Sequence, residues 1–177
     1  MIGEETFHPD TRALLAYGRT LAGGTDQPVR RSRADQVLER LFIFERTQDG
    51  RWPIRTFGQD LVTVFGRDLK DHDFATLWLA PDKVLISALI SAAADAGQPA
   101  IARVTASTQD GTKLGAEVLI TPLRMEPAFG ERFLALFQPL GGEAFLGGKP
   151  ITLIRCGSLH PPVARSPLPV RLVVNND

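Results

Sequence analysis

The sequence predicts an α+β fold, one antiparallel sheet closed by helices, and three features carry that prediction. Gln48-Asp49-Gly50 and Asp110-Gly111 are hairpin chemistry between β-like runs, because Asp and Gly tolerate the positive φ of tight turns. Residues 81–97 open on Pro81-Asp82 and close at Gly97 with Pro99 beyond, which is how a helix is punctuated. Residues 132–138 are apolar at both parities. Phe133, Ala135 and Phe137 line one side and Leu134 and Leu136 the other, as in a central strand buried on both faces.

The elements follow in order. Pro9 and Asp10 start a first helix in which Ala13, Leu14, Tyr17 and Leu21 recur at helical spacing until Gly23-Gly24. Residues 25–33 are a polar connector with Pro28, and 34–41 form another helical turn or two. Phe42 to Arg46 is a first strand and Trp52 to Phe57 a second. Pro53 and the charged Arg55 put that second strand at an edge, since proline cannot donate to a ladder. Between Gly58 and Gly66 lies a short amphipathic run, Leu61, Val62, Val64 and Phe65, and a charged turn then leads to Phe74, Leu77 and Trp78. The long helix carries Val84, Leu85, Ala88, Leu89, Ala92 and Ala96, and its alanines allow close approach to a sheet. Strands follow over about 101–107, 114–123 and 132–138.

Beyond Leu140 the composition changes. Glycines lead to two β-like segments, Ile151 to Ile154 and Val170 to Val174, joined by the proline-rich HPPVARSPLP. The two segments are spaced to pair with each other or with an exposed strand edge, and deletion of 141–177 is expected to leave the domain folded. The organisation read from the sequence is a cap helix and connector over 1–33, a domain over 34–140, and an extension over 141–177.

Apolar residues make up 44% and charged residues 23% of the 177, the composition of a globular protein. Twenty basic residues balance twenty acidic ones, so nothing global draws the chain to nucleic acid or to an anionic membrane. No apolar run approaches the roughly 20 residues that span a bilayer. The acidic N-terminus does not read as a signal peptide, and the lone Cys156 makes no internal disulfide, so a cytoplasmic location is expected.

The phrases HPDTRALLAYGRTLAGG, PVRRSRAD, IRTFGQDLVTVFGRDL, FATLW and GAEVLITPL resemble those of a bacterial family of small, mostly stand-alone PAS-like proteins, over about residues 8–140. That resemblance implies a five-stranded antiparallel sheet of order 2-1-5-4-3. The short helices and the long helix would share one face, and the N-terminal helix would cap the other. It also implies a sensory or protein-interaction module that dimerises through its cap, and it brings no catalytic residues. The long helix has no histidine to hold a haem, and the short-helix region has no cysteine for flavin photochemistry, so neither cofactor is expected.

His72 between Asp71 and Asp73 has no second nitrogen or sulfur ligand at useful spacing, so an exposed turn with an aspartate capping the helix at Phe74 is the favoured reading. No G-x-S-x-G elbow, phosphate loop, dinucleotide fingerprint or H-E-x-x-H motif is present. The leading expectation is a non-enzymatic regulatory module, a homodimer through its N-terminal helix, that responds to a small apolar ligand or to a signalling partner. Its ligand would lie beside Phe57, Val64, Phe65, Phe74 and Trp78, with Arg55 or Arg67 orienting one polar group. The alternative is a small α+β cone enzyme using Glu117 as a buried general base on an apolar substrate. Glu117 decides between them by the face it takes. Facing the cavity it would pair with Arg55 or Arg67, and facing outward it would tie the connector through Arg31 or Arg33.

Overall fold

The computed structural model describes residues 6–23, 37–123 and 130–162. Its centre is one antiparallel sheet of order β2-β1-β5-β4-β3-β6, formed by β1 (Leu41–Glu45), β2 (Ile54–Phe57), β3 (Ala100–Thr108), β4 (Lys113–Leu123), β5 (Arg132–Pro139) and β6 (Ile151–His160). The first five strands have the expected order, and β2 is an edge as Pro53 implied. The sixth strand is the addition. Here the first β-like segment of the C-terminal extension pairs with β3 from Ile101↔His160 to Thr108↔Ile151. The second segment, 170–174, lies outside the described residues, as do Arg30, Arg31 and Arg33.

Side-chain alternation sorts the sheet into two faces. Phe133, Ala135 and Phe137 of β5, with Ala116, Val118 and Ile120 of β4, enter the main core. Over this core lie α2 (Gln59–Phe65), a 3₁₀ helix (Phe74–Leu77) and α3 (Asp82–Ala96), the last through Ile86, Leu89, Ile90 and Ala93. On the opposite face α1 (Pro9–Gly23) crosses β4 and β5, and Phe7 and Leu15 pack with Ile101, Leu119 and Leu136. Strand β5 is therefore buried from both sides, as its double apolar parity required.

Within α3 the apolar positions divide differently from the sequence reading. Val84 and Leu85 are exposed, and Ile86, Ile90 and Ala93 take the core-facing stripe with Leu89. A stretch apolar on nearly every side contains more than one plausible stripe, and only the sheet beneath it selects one.

Short-range devices fix the wall over the main core. Gly58 is required by space, because a Cβ there would stand 2.2 Å from the Glu39 carbonyl. Gly66 ends α2 at φ 62°, a left-handed turn that glycine adopts without steric cost. Asp73 caps the 3₁₀ helix by accepting the Ala75 N–H at 3.0 Å, the capping role expected of it. The same carboxylate oxygen accepts the Trp52 N–H at 3.2 Å, which ties the wall to the start of β2.

The outer edges are closed by side elements rather than left open. The main chain at 71–74 bonds to β2, with Asp71 N–H donating to the Ile54 carbonyl and Phe74 N–H to the Trp52 carbonyl, both at 2.8 Å. At the far edge, Leu79 N–H donates to the Ile154 carbonyl at 2.8 Å and the Asp82 carboxylate accepts the Cys156 N–H at 2.8 Å. Ile151 and Ile154 are buried in the main core. Strand β6 is thus hydrogen-bonded into the sheet and packed on the main core.

Candidate functional site

The main-core face forms a cup whose floor is Phe42 and Phe44 of β1 with Phe133 and Phe137 of β5. Three wall residues from the sequence reading, Phe65, Phe74 and Trp78, converge on this floor. The Phe44 ring lies flat between Phe74, with centroids 4.5 Å apart, and Phe133, at 5.3 Å. Phe65 meets Phe42 and Phe137 edge-on at 6.1 and 5.6 Å, and Trp52 meets Phe133 edge-on at 5.5 Å. Offset stacks and T-shaped pairs are how the ring quadrupoles prefer to meet, each adding about 0.5–1.5 kcal/mol beyond burial.

Trp78 closes the cup from the side, 6.0 Å from Phe74, and is 1% exposed. Its indole Nε1 is buried and has no acceptor among the described residues. A buried donor left without a partner costs on the order of 1–3 kcal/mol. Val64 and Phe57 are half-buried and pack against the cluster from its rim.

The two arginines stand elsewhere. Arg55 is exposed and donates to Glu45 at 2.8 and 2.6 Å and to Asp71, and these bonds, Glu45 first, push its guanidinium above its ordinary pKa. Arg67 is exposed as well. Neither turns toward the cup, because edge strand β2 points Arg55 into water, where two carboxylates hold it. His72 is likewise exposed beside the Asp73 cap.

Glu117 lies on the opposite face, fully buried beneath the N-terminal segment. It neither enters the cup nor meets Arg55 or Arg67, and the enzyme reading thereby loses the residue it relied on. Its Oε2 accepts the main-chain N–H of His8 at 3.0 Å, and Arg103 Nε stands 3.4 Å from its Oε1. Arg103 in turn donates to the Thr6 carbonyl at 2.5 Å, and its guanidinium lies 5.0 Å over the Phe7 ring. His160, at the end of β6, meets Phe7 edge-on at 5.1 Å.

Arg103, Phe7 and His8 had no place in the sequence reading. One signal could have found the central pair. Counting outward from the turn at Asp110-Gly111 sets 103 opposite 117, an opposite-charge cross-strand pair, and β3 and β4 do pair Arg103↔Glu117.

The sequence profile of the PAS domain family matches residues 6–138. Similar solved structures include two LOV proteins and one PAS domain. The blue-light photoreceptor Aureochrome1 LOV in its dark state has 15% identity over 70% of this chain and 91% of that one, with a TM-score of 0.46. The LOV protein of Rhodobacter sphaeroides has 14% identity over 63% and 67%, TM-score 0.48. The PAS domain of an HTR-like protein from Haloarcula marismortui has 19% identity over 62% and 90%, TM-score 0.42. No curated protein matches the chain, and among the described residues no helix is long and apolar enough to cross a membrane.

Proposed function

We propose, from the premise that this chain belongs to the PAS domain family, that it is a non-enzymatic regulatory module: it takes a small ligand into the aromatic cup and passes the change on through protein contacts. The observation that carries the ligand is the Trp78 indole, a buried donor without an acceptor among the described residues, on a wall built from short pieces. An apolar or aromatic molecule with one hydrogen-bond acceptor would satisfy Nε1 and replace ring contacts with its own. Phe65, Phe74 and Trp78 form the site, with Phe57 and Val64 at its rim. Trp78 takes the polar role that the sequence reading gave to Arg55 or Arg67.

Entry requires the wall to yield. Wall segments held by brief helices and end caps open at lower free energy than the central strands they cover. The module works in the cytoplasm as a homodimer through α1, without nucleic acid as a partner. Native mass spectrometry of the purified protein detects a retained ligand and counts subunits.

The decisive experiment uses Trp52→Phe protein, so that Trp78 alone reports. A ligand recovered in this way is expected to raise the melting temperature and shift Trp78 emission, and Phe74→Ala is expected to weaken both effects. Thermal stabilisation with unchanged Trp78 emission, insensitive to Phe74→Ala, would overturn the cup as the site.

A further inference from the structure

Helix α3 has a second apolar stripe, and it faces water. Its sheet-facing side, Ile86, Leu89, Ile90 and Ala93, lies in the main core, whereas Val84 is 74% and Leu85 45% exposed. Val84 is the most exposed large apolar side chain among the described residues. Helical spacing carries this outer side on through Ala88, Ser91, Ala92 and Asp95, of which Ala88 and Asp95 are exposed and Ser91 and Ala92 half-buried. Adjacent bulky apolar groups left in water within a polar rim mark a contact surface.

The outer face is its own complement. If two such helices cross antiparallel with Ala88 against Ala88, Val84 of each meets Ala92 of the other and Leu85 meets Ser91, so large side chains fall on small ones. Ala88, at the crossing, lets the two axes come close. The same register brings Asp95 beside Pro81 and Lys83 of the other copy, at the N-terminal end of its helix, where the dipole and the lysine both favour a carboxylate. Asp82, the acid that belongs to that end, is turned away, its Oδ2 accepting the Cys156 N–H at 2.8 Å. Lys83 and Asp95 have no ion-pair partner among the described residues. A parallel crossing would instead set Lys83 on Lys83, Asp95 on Asp95 and bulk on bulk.

We propose that α3 docks antiparallel on α3 of a second copy of this chain, through Val84, Leu85, Ala88, Ser91, Ala92 and Asp95. The contact is isologous, so one stripe serves both sides. A foreign helix would have to present the same order of large, small and charged positions, and this chain already carries it. One stripe holds far fewer residues than the roughly 20–30 a side of a standard interface, so the association is weak and concentration-dependent. It lies on the cup side of the sheet, opposite α1, and depends neither on the cup's ligand nor on the dimer through α1. Where both contacts form, the assembly is larger than a dimer. The docked copy then rests on the helix that roofs the cup.

The test is sedimentation velocity on the full chain from micromolar to millimolar concentration. The wild-type coefficient is expected to rise with concentration, and Leu85→Glu, at an exposed position, to weaken the association by about tenfold or more. Lys83→Glu is expected to weaken it by repelling Asp95, and the double variant Lys83→Glu/Asp95→Lys to restore it, which general stickiness would not do. A wild type that shows no rise overturns the proposal. A dimer that persists unchanged in Leu85→Glu also overturns it, while leaving α1 as the interface.

Disulfide formation in a Cys156→Ser background reads the register. Ala88→Cys is expected to cross-link to its own counterpart, because the crossing brings the two Cβ atoms to about 4 Å. Asp95→Cys is expected not to, since antiparallel helices hold those positions roughly 20 Å apart. Equal cross-linking at both positions overturns the antiparallel docking. At a concentration where the wild type is monomeric, Leu85→Glu is expected to keep the wild-type melting temperature. A clear drop there would place a segment of the same chain on the stripe and overturn the second copy as its occupant.

Discussion

Asp82, the first residue of α3, accepts the main-chain N–H of Cys156 through Oδ2 at 2.8 Å, so the helix that covers the sheet also fastens its outermost strand. The same region holds the Leu79 N–H on the Ile154 carbonyl at 2.8 Å. Together they join residues 151–160 to the wall as well as to β3.

Truncation at Leu140 is therefore expected to destabilise the domain. It strips Ile151 and Ile154 from the core, at about 1.5–3 kcal/mol for each buried side chain, and bares the β3 edge. The measurement is thermal unfolding followed by far-UV circular dichroism. A truncated chain melting within a degree or two of the full one would show β6 to be energetically idle. Asp82→Ala should reproduce a smaller part of the loss, about 1.5–3 kcal/mol at most, since a hydrogen bond to a charged group is removed.

Gly18 sits so close to β4 that an added Cβ would stand 2.8 Å from Thr121 Oγ1 and 2.9 Å from its Cγ2. Gly18→Ala is expected to cost about 1–3 kcal/mol through overpacking, partly offset by the roughly 1 kcal/mol that alanine gains over glycine in a helix. Thr121→Ala should relieve the clash, so the double variant is expected to be more stable than Gly18→Ala alone. A denaturant double-mutant cycle with no coupling would mean that α1 does not rest on β4 at this point.

Phe44 is stacked on both faces, by Phe74 and by Phe133, and is fully buried. Phe44→Ala is expected to cost about 3–5 kcal/mol and Phe44→Leu distinctly less, because leucine refills much of the volume but none of the stacking. Chemical denaturation checks the order. Equal losses for the two variants would show that volume, not ring geometry, holds the floor of the cup.

His160 has a folded-state pKa below its ordinary value, chiefly because burial disfavours the charged ring and secondarily because Arg103 repels it, while Glu117 partly opposes both. Ser158 Oγ lies 3.0 Å from its Nε2. The sign follows directly. The unfolded chain binds the proton more readily, so this contribution is present above the ordinary histidine pKa near 6.5 and is lost as pH falls through the lower folded value. Stability measured from pH 7.5 to 5 is expected to fall, and His160→Gln to flatten that fall. An unchanged slope in the variant would remove His160 from the acid response.

Much of the architecture was legible because it rests on local chemistry. Asp and Gly at the hairpins, Gly66 and Gly97 at helix ends, Asp73 at a cap and the double parity of 132–138 act through neighbours a few residues away, and each did what its type dictates. Phe65, Phe74 and Trp78 turn inward onto the main core for the same reason: they recur on short amphipathic pieces with one face to bury.

What the sequence by itself determined is thus the alternation, the punctuation and the apolar faces, which follow from φ preferences and side-chain period. Only the tertiary structure decided which partner each face met. Parity put Glu117 with Gly115 and Leu119, yet the choice between cup and outer face depended on where α1 and residues 6–8 came to rest, more than a hundred positions away in sequence. Arg55 faces water rather than the cup because Glu45 and Asp71 reach it across the sheet edge, and Ile151 to His160 became a strand because the β3 edge offered unpaired main chain. Such pairings are settled by geometry and by competition for buried polar groups, quantities that exist only once the chain has closed on itself.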